Sequence, residues 1–251
     1  RLFYDTFTRR FLLDGSSNDV LERVAGELYA ACPDVSWSAT VIAEGLDYGR
    51  ANGHVTLVDS LRAALDDIPP TTGDTDWFAA AIEEGLTLAD DYDHELAAAI
   101  LRTWFVGLVA RILDPGHKVD VALVLQGPQG IGKSMLLRTI ALEPDWFTDA
   151  ISLHRLDEKD SLMELAGKHI IELPELAGLR KAEFNTVKKW LTQTTDDYRP
   201  PYGRSIVACP RRFVIAATTN EREYLRDTEN RRFLILRLKR VDIGWDFPGY
   251  F

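Results

Sequence analysis

Residues 121–142 read VALVLQGPQGIGKSMLLRTIAL and combine three patterns in succession. The apolar run that ends at Gln126 is typical of a buried strand, and the stretch after Ser134 is typical of a helix. Between them, GPQGIGKS matches the spacing G-x-x-x-x-G-K-[ST]. A glycine-rich turn from a strand into a helix N-terminus points backbone N–H groups at one place, which suits a phosphate. The stretch therefore predicts a phosphate-binding loop in an α/β protein.

The side chains of this loop predict binding of ATP together with Mg²⁺. Lys133 would reach the β- and γ-phosphates, and the Ser134 hydroxyl would hold the cation. An accidental match is disfavoured because a strand and a helix flank the motif in the correct order. The candidate nucleotide-binding residues are Gly127, Pro128, Gln129, Gly130, Ile131, Gly132, Lys133, Ser134 and Met135.

The rest of the chain divides into two kinds of pattern. Residues 1–118 are acidic with apolar residues at helical spacing, which predicts a helical domain that ends near Asp114-Pro115-Gly116. In residues 119–251 short apolar runs alternate with helical segments, which predicts an α/β core with a largely parallel sheet. The predicted strands are Val121 to Leu125, His169 to Leu173, Phe213 to Thr218 and Phe233 to Leu238, and the predicted helices are Ser134 to Leu142, Lys159 to Ala166 and Lys181 to Leu191.

Polar residues at the ends of two predicted strands are candidates for hydrolysis. Glu172 would bind Mg²⁺ and Glu175 could act as the general base, although the two roles could be exchanged. Asn220 follows the next strand, where it could hold the attacking water or read the γ-phosphate; it could also be an ordinary turn residue. Arg231 and Arg232 could neutralise charge at a neighbouring subunit's γ-phosphate, or could be a salt-bridged surface pair.

The charge distribution permits a nucleic-acid partner despite a net charge of −10. Residues 180–240 hold 15 Lys and Arg against 7 Asp and Glu, and such a basic stretch is either a phosphate-binding surface or a solvated face. Two cysteines without metal-ligand spacing favour a reducing cytoplasm. The apolar stretch 95–113 contains Arg102 and Arg111, so we expect no membrane span, and a chain that starts at Arg1 is expected to be a fragment of a longer protein.

With these residues in view, the chain resembles the virulence-associated protein E family. The resemblance covers roughly residues 96–238, and the matching motifs are AILRTWFVGLVARILDPGHKVD, LVLQGPQGIGKS, GKHIIELPELAGLRKAE, VKKWLTQTTDDYRPPYGR and PRRFVIAATTNEREYLRDTENRRF. It implies an AAA+-like P-loop core of the superfamily 3 helicase type, a hexameric ring around DNA, and ATP-driven strand separation in replication of phages, prophages or genomic islands. A fused or associated primase is also implied.

The same resemblance assigns roles to single residues. Lys133 and Ser134 would be the Walker A pair, Glu172 the Walker B acid and Asn220 the sensor of motif C. Either Arg231 or Arg232 would be the arginine finger.

The segment DDYRPPYGRSIVACPRR stands where superfamily 3 proteins carry a DNA-binding hairpin. Arginines for phosphates and tyrosines for base stacking suit single-stranded DNA, whereas the prolines also fit a rigid structural loop with inward tyrosines. The candidate DNA contacts are Lys188, Lys189, Tyr198, Arg199, Tyr202, Arg204, Arg211 and Arg212.

Three functions are compatible with these patterns. The first is an ATP-dependent DNA translocase or helicase that works as a ring. The second is a nucleotide-dependent DNA-binding switch or loader that does not unwind DNA. A small-molecule kinase is disfavoured because Asn220 and a distant arginine pair suit a site shared between subunits.

Overall fold

The pairing of the strands decides the architecture of this chain. The computed structural model describes residues 2–13, 20–31, 38–68, 76–151, 162, 164–174, 176, 181–198, 207–220 and 231–245. The helices are α1 (Val20–Ala31), α2 (Ala39–Ala51), α3 (Ser60–Asp66), α4 (Trp77–Ala80), α5 (His94–Leu113), α6 (Lys133–Ile140) and α7 (Lys181–Leu191). The strands are β1 (Leu2–Asp5), β2 (Arg10–Leu13), β3 (Thr56–Val58), β4 (Leu86–Leu88), β5 (Ala122–Gln126), β6 (Phe147–Thr148), β7 (Ile170–Leu173), β8 (Thr195–Tyr198), β9 (Val207–Pro210), β10 (Val214–Thr219) and β11 (Phe233–Val241).

The first unit of the chain comprises residues 1–63 together with 199–207. It contains a three-stranded sheet in the order β2-β1-β3, in which β1 runs antiparallel to β2 and parallel to β3. The buried Asp5 carboxylate joins this sheet to α3, because it accepts hydrogen bonds from the Ser60 backbone N–H (3.0 Å) and hydroxyl (2.8 Å). The sequence predicted helices alone in this region. Strands of three or four residues are too short to show an alternating pattern.

The second unit comprises residues 64–198 and 208–251. Its six-stranded sheet has the order β4-β11-β5-β10-β7-β6. Strands β11, β5, β10, β7 and β6 are mutually parallel, and β4 pairs antiparallel with β11 at one edge. The mixed α/β class with a largely parallel sheet is therefore confirmed. The structure divides the chain near Ala63 rather than at the predicted boundary of Lys118, because β4 and α5 belong with this sheet.

The predicted strands of the α/β part correspond to β5, β7, β10 and β11 within a few residues. Strands β4, β6, β8 and β9 were missed, and β8 and β9 pair as a separate two-stranded sheet. Helices α6 and α7 are confirmed, whereas most of the helix predicted at 159–166 lies outside the described residues.

Helix α5 is the one described helix with the length and apolar composition to cross a membrane. Half of that apolar stretch is buried, and the helix contacts β5, β10 and β11. Trp104 is fully buried, and its Nε1 donates to the carbonyl of Ile215 in β10 (2.9 Å). An apolar helix that packs on a sheet in this way is a core helix of a folded domain.

Helix α7 covers part of the same sheet through its apolar face. Val187, Trp190 and Leu191 lie in one buried cluster with residues from β5, β7 and β10. Burial of such side chains contributes roughly 1.5–3 kcal/mol each relative to full exposure, so this cluster fixes the strand ends that carry the polar residues described below.

His169, just before β7, connects three strands. Its backbone N–H donates to Trp146 (2.7 Å) and its carbonyl accepts from Val214 (2.9 Å). The ring is fully buried, and Nδ1 lies 2.9 Å from the carbonyl of Arg212. Because a carbonyl only accepts, Nδ1 carries the proton in the neutral ring. Burial lowers the pKa of His169 from 6.5 to about 4; the hydrogen bond to the Arg212 carbonyl raises this pKa and the Arg212 charge lowers it.

This buried ring predicts a loss of stability in mild acid. Between pH 6.5 and 4 the unfolded chain binds a proton at His169 and the folded protein does not, so stability falls as pH falls through that range. This difference between the pKa values of the unfolded and folded states corresponds to a loss of about 3 kcal/mol in the free energy of unfolding. Urea unfolding of the wild type and of His169→Asn, followed by tryptophan fluorescence at several pH values, should show a shallower pH dependence for the variant.

The exposed His54 provides the control for this experiment. His54→Asn should keep the wild-type pH dependence, because no buried ring is removed. Equal slopes for His169→Asn and the wild type would contradict the predicted role of His169.

Candidate functional site

A glycine-rich loop, residues 127–132, connects β5 to the first turn of α6. Gly130 and Gly132 have φ angles of 81° and 95°, a left-handed conformation that other residues rarely adopt. At Gly127 a Cβ atom would lie 2.2 Å from the carbonyl oxygen of Leu238, so this position has no room for a side chain. The fold of the loop therefore depends on glycine at three positions.

The Lys133 ammonium is hydrogen-bonded to the backbone of this loop. Its Nζ donates to the carbonyls of Gly127 (2.7 Å) and Pro128 (2.7 Å) and to Oδ1 of Asn220 (2.9 Å). Lys133 is 7% exposed, and burial lowers its pKa while the nearby Glu172 charge opposes that shift. A primary ammonium has three protons, so this group is fully hydrogen-bonded.

Glu172, the third residue of β7, lies opposite the loop and is 1% exposed. Its Oε1 accepts hydrogen bonds from the hydroxyls of Ser134 (2.7 Å) and Thr218 (2.7 Å). Its Oε2 is buried and makes no hydrogen bond with the described part of the chain. A buried carboxylate oxygen without a donor can accept a cation or a water.

These groups meet because of the strand order. In a parallel sheet the carboxyl ends of the strands share one edge, and β10 lies between β5 and β7. Strand β5 leads into the loop, β7 carries Glu172 and β10 ends next to Asn220. A cavity of about 160 Å³ opens at this edge. Its lining residues are Ser134, Asp149, Glu172, Pro174, Thr218, Thr219 and Asn220.

The composition of the cavity suits a hard divalent cation such as Mg²⁺. Ser134 and Glu172 offer hydroxyl and carboxylate oxygens, the donor type that Mg²⁺ prefers, and Glu172 Oε2 has no hydrogen-bond partner among the described residues. The adjacent loop combines left-handed glycines with a helix N-terminus and an ammonium, a combination that suits an anion such as a phosphate. The residues present therefore fit both a magnesium ion and a phosphate group.

Asp149 and Thr218 are cavity residues that the sequence analysis missed. Asp149 follows β6, a strand of two residues that gives no apolar run, and it pairs with Arg138 at 3.3 Å. Thr218 is part of the apolar run of β10, so it was assigned to the core. Its polar side chain at the end of that run was the available signal. Glu175, the other predicted acid, lies outside the described residues.

Arg231 and Arg232 lie at the opposite edge of the sheet from the loop. They precede β11, whose first residue Phe233 pairs with Ala122, whereas Arg237 pairs with Gln126 next to the loop. Six residues of strand span roughly 20 Å, so neither arginine reaches the glycine-rich loop of its own chain. Arg231 is exposed, and Arg232 is half-buried with Nη1 donating to the carbonyl of Lys188 (2.8 Å).

Arg211 was predicted to contact DNA, and the structure shows that this prediction was wrong. Its side chain is 2% exposed and forms a bidentate ion pair with Asp196, through Nε (2.8 Å) and Nη2 (2.6 Å). Nη1 donates to the carbonyl of Trp190 (2.6 Å), and the guanidinium lies over the rings of Trp190 and Phe213. A guanidinium with these partners stabilises the fold and has no face left for a phosphate.

The other predicted DNA contacts are not gathered into one described surface. Lys189 is exposed on α7, while the half-buried Lys188 lies over the Phe184 ring. Arg212 is half-buried and donates to the carbonyl of Ile112 (3.3 Å). Arg199, Tyr202 and Arg204 lie outside the described residues. For Tyr198 the structure describes the backbone and not the side chain.

The fold and site define a mixed α/β protein with a polar, loop-bordered cavity at the carboxyl edge of a parallel sheet. The model of the virulence-associated protein E-like domain matches residues 76–246. The chain therefore belongs to this family, as the sequence resemblance predicted. No curated protein matches the chain.

Solved structures with the same fold come from the NrS-1 C terminal region. One apo structure of residues 305–718 has a TM-score of 0.56 at 15% identity, and an A form apo structure has a TM-score of 0.54 at 14% identity. Each match covers 100% of this chain and 62% of the other chain. This chain thus spans less than two thirds of those chains, and at this identity the likeness concerns the fold alone.

Proposed function

We propose that this chain is the ATP-dependent motor of a DNA replication protein of a phage, prophage or other mobile element. The observation that carries the proposal is the meeting of Lys133, Glu172 and Asn220 from three adjacent structural elements at one sheet edge. An ammonium, an acid and an amide at the mouth of an anion-binding loop are the groups that ATP hydrolysis requires. Family membership supports the assignment to replication.

Binding of ATP requires the loop to exchange partners. The Lys133 ammonium leaves the carbonyls of Gly127 and Pro128 for the β- and γ-phosphates. The loop N–H groups and the N-terminus of α6 then bind the phosphates from the other side. The core is accordingly an AAA+-like P-loop domain of the superfamily 3 helicase type.

Hydrolysis uses the residues on the facing strands. Mg²⁺, when bound, neutralises phosphate charge and polarises the γ-phosphate. Ser134 and Glu172 would hold it, and Glu172 or Glu175 would take the proton of the attacking water. Asn220, released by Lys133, has its amide available to orient that water.

In this proposal, the arginine that completes the site comes from another subunit. Since about 20 Å of strand separates Arg231 from the loop of its own chain, a ring is the assembly that brings the two together. The ring is proposed to be a hexamer that encircles DNA, with a primase fused or associated. The proposed DNA contacts are Lys189 and the predicted hairpin segment of residues 196–212, without the buried Arg211.

Three measurements on the assembled protein test this proposal. We expect ATP turnover that single-stranded DNA stimulates, and ATP-dependent separation of a forked duplex. Glu172→Gln should bind nucleotide and lose turnover, because an amide holds the cation poorly and cannot accept a proton. Binding of nucleotide and DNA without strand separation would instead identify a switch or loader. Absence of nucleotide binding would refute the ATPase itself.

A further inference from the structure

Thr218 makes a contact that the proposed hydrolysis does not use. Its hydroxyl, at the end of an otherwise apolar run in β10, donates to Glu172 Oε1 at 2.7 Å. Thr218 is 7% exposed and also lines the cavity. A buried hydroxyl without a partner destabilises the fold, so the hydrogen bond to Glu172 is what allows a polar side chain at this position.

We propose that Thr218 is a positioning residue that fixes the orientation of the Glu172 carboxylate for cation binding and hydrolysis. This inference rests on the proposed ATPase function and adds a residue to it. Thr218 does not touch the reacting atoms in this role; it acts through Glu172.

The two hydroxyl donors to Oε1 come from parts of the fold that differ in rigidity. Ser134 is in the first turn of α6, next to a loop that must rearrange when a phosphate enters. Thr218 is near the carboxyl end of β10, an interior strand that is paired with β5 through Thr218 itself and with β7 up to Ala217. The threonine hydroxyl therefore keeps its place when the serine hydroxyl turns to a cation.

The Thr218 hydroxyl can orient Glu172 because the hydrogen bonds are unevenly distributed between the two carboxylate oxygens. Oε1 receives both hydroxyls and Oε2 receives none. A carboxylate held through one oxygen has a fixed plane, so the other oxygen is presented in one direction. Without Thr218 the carboxylate can rotate about its last bond once Ser134 is engaged elsewhere, and the free oxygen loses its defined position.

The test uses three variants of the assembled protein. Thr218→Val keeps the shape and removes the hydroxyl, and Thr218→Ser keeps the hydroxyl. Thr103→Val removes an exposed threonine hydroxyl that bonds only within α5 and serves as the control. The measurements are kcat and KM for ATP, the affinity for ATP without Mg²⁺, and the Mg²⁺ concentration that gives half-maximal nucleotide binding.

Thr218→Val should lower kcat roughly ten- to hundredfold and raise the required Mg²⁺ concentration, as is usual when a supporting partner of a metal ligand is removed. Its affinity for ATP without Mg²⁺ should equal that of the wild type, and Thr218→Ser should restore most of kcat. A merely structural role would lower the melting temperature without this separation of kcat from affinity.

Two results would overturn the inference. Wild-type kcat and Mg²⁺ dependence in Thr218→Val would show that Glu172 needs no anchor. Equal losses in Thr218→Ser and Thr218→Val would show that packing matters and the hydroxyl does not. If the wild type binds Mg²⁺ and ATP without turnover, the proposed ATPase fails, yet the Mg²⁺ dependence of Thr218→Val still decides the role of Thr218.

Discussion

Replacing Arg231 with alanine is expected to lower ATP turnover of the assembled protein by about a thousandfold or more, the usual effect of losing an arginine finger. The physical reason is that the exposed guanidinium at the amino end of β11 is too far from the loop of its own chain, so in the proposed ring it acts at a neighbour's site. Nucleotide affinity should change little, because the arginine acts on charge that develops during the reaction. Steady-state hydrolysis at rising protein concentration measures the effect.

Mixing variants tests the sharing of sites directly. Arg231→Ala supplies an intact loop and Lys133→Ala supplies an intact arginine, so a mixture should recover activity that neither variant has alone. Arg232→Ala is the matched control, since the Arg232 guanidinium is held by the Lys188 carbonyl, and its loss should affect stability more than turnover. Activity of Arg231→Ala equal to that of the wild type, independent of concentration, would contradict a shared site.

Replacing Lys133 with alanine is expected to reduce kcat/KM for ATP by roughly a hundredfold or more, because a preorganised donor to the phosphates is lost from a partly buried site. The same change removes the donor to Gly127, Pro128 and Asn220, so the loop loses three contacts that hold its shape and nucleotide affinity should fall as well. Steady-state hydrolysis measures kcat/KM, and binding of a fluorescent ATP analogue measures the affinity.

Lys118→Ala is the control for Lys133→Ala, because Lys118 is an exposed lysine paired with Asp120 and lies before β5, at the end of that strand opposite the loop. It should leave both measurements unchanged. Wild-type nucleotide affinity and turnover in Lys133→Ala would remove the basis for assigning ATP to this cavity.

The parts of the site that could be predicted from sequence are those set by local chemistry. The loop from Gly127 to Lys133 is recognisable because its conformation requires glycine at fixed spacing, and its strand and helix follow from apolar runs. Glu172 and Asn220 could be found because each polar residue ends or follows a buried run. Their convergence depended on β10 lying between β5 and β7. Strand order is a property of long crossover connections, and residue types along the chain do not encode it directly.

Tertiary contacts account for the predictions that failed. Arg211 follows a proline in a basic stretch and looks like a surface residue, but Asp196 on a different strand and the rings of Trp190 and Phe213 enclose it. The strands before residue 63 could not be predicted because each has three or four residues, and β3 pairs with β1, which is distant in sequence. In both cases the environment is set by tertiary contacts, which the local sequence does not show.

A phosphate that binds to Lys133 must displace hydrogen bonds that the ammonium makes to Gly127, Pro128 and Asn220. Where this exchange requires the loop to open first, a phosphate ligand can bind only the fraction of molecules that is open. The apparent dissociation constant rises by the reciprocal of that fraction, so a bias of about 1.4 kcal/mol towards the closed state weakens binding about tenfold. Where opening precedes binding, the observed association rate reaches a plateau at the opening rate as ligand concentration rises.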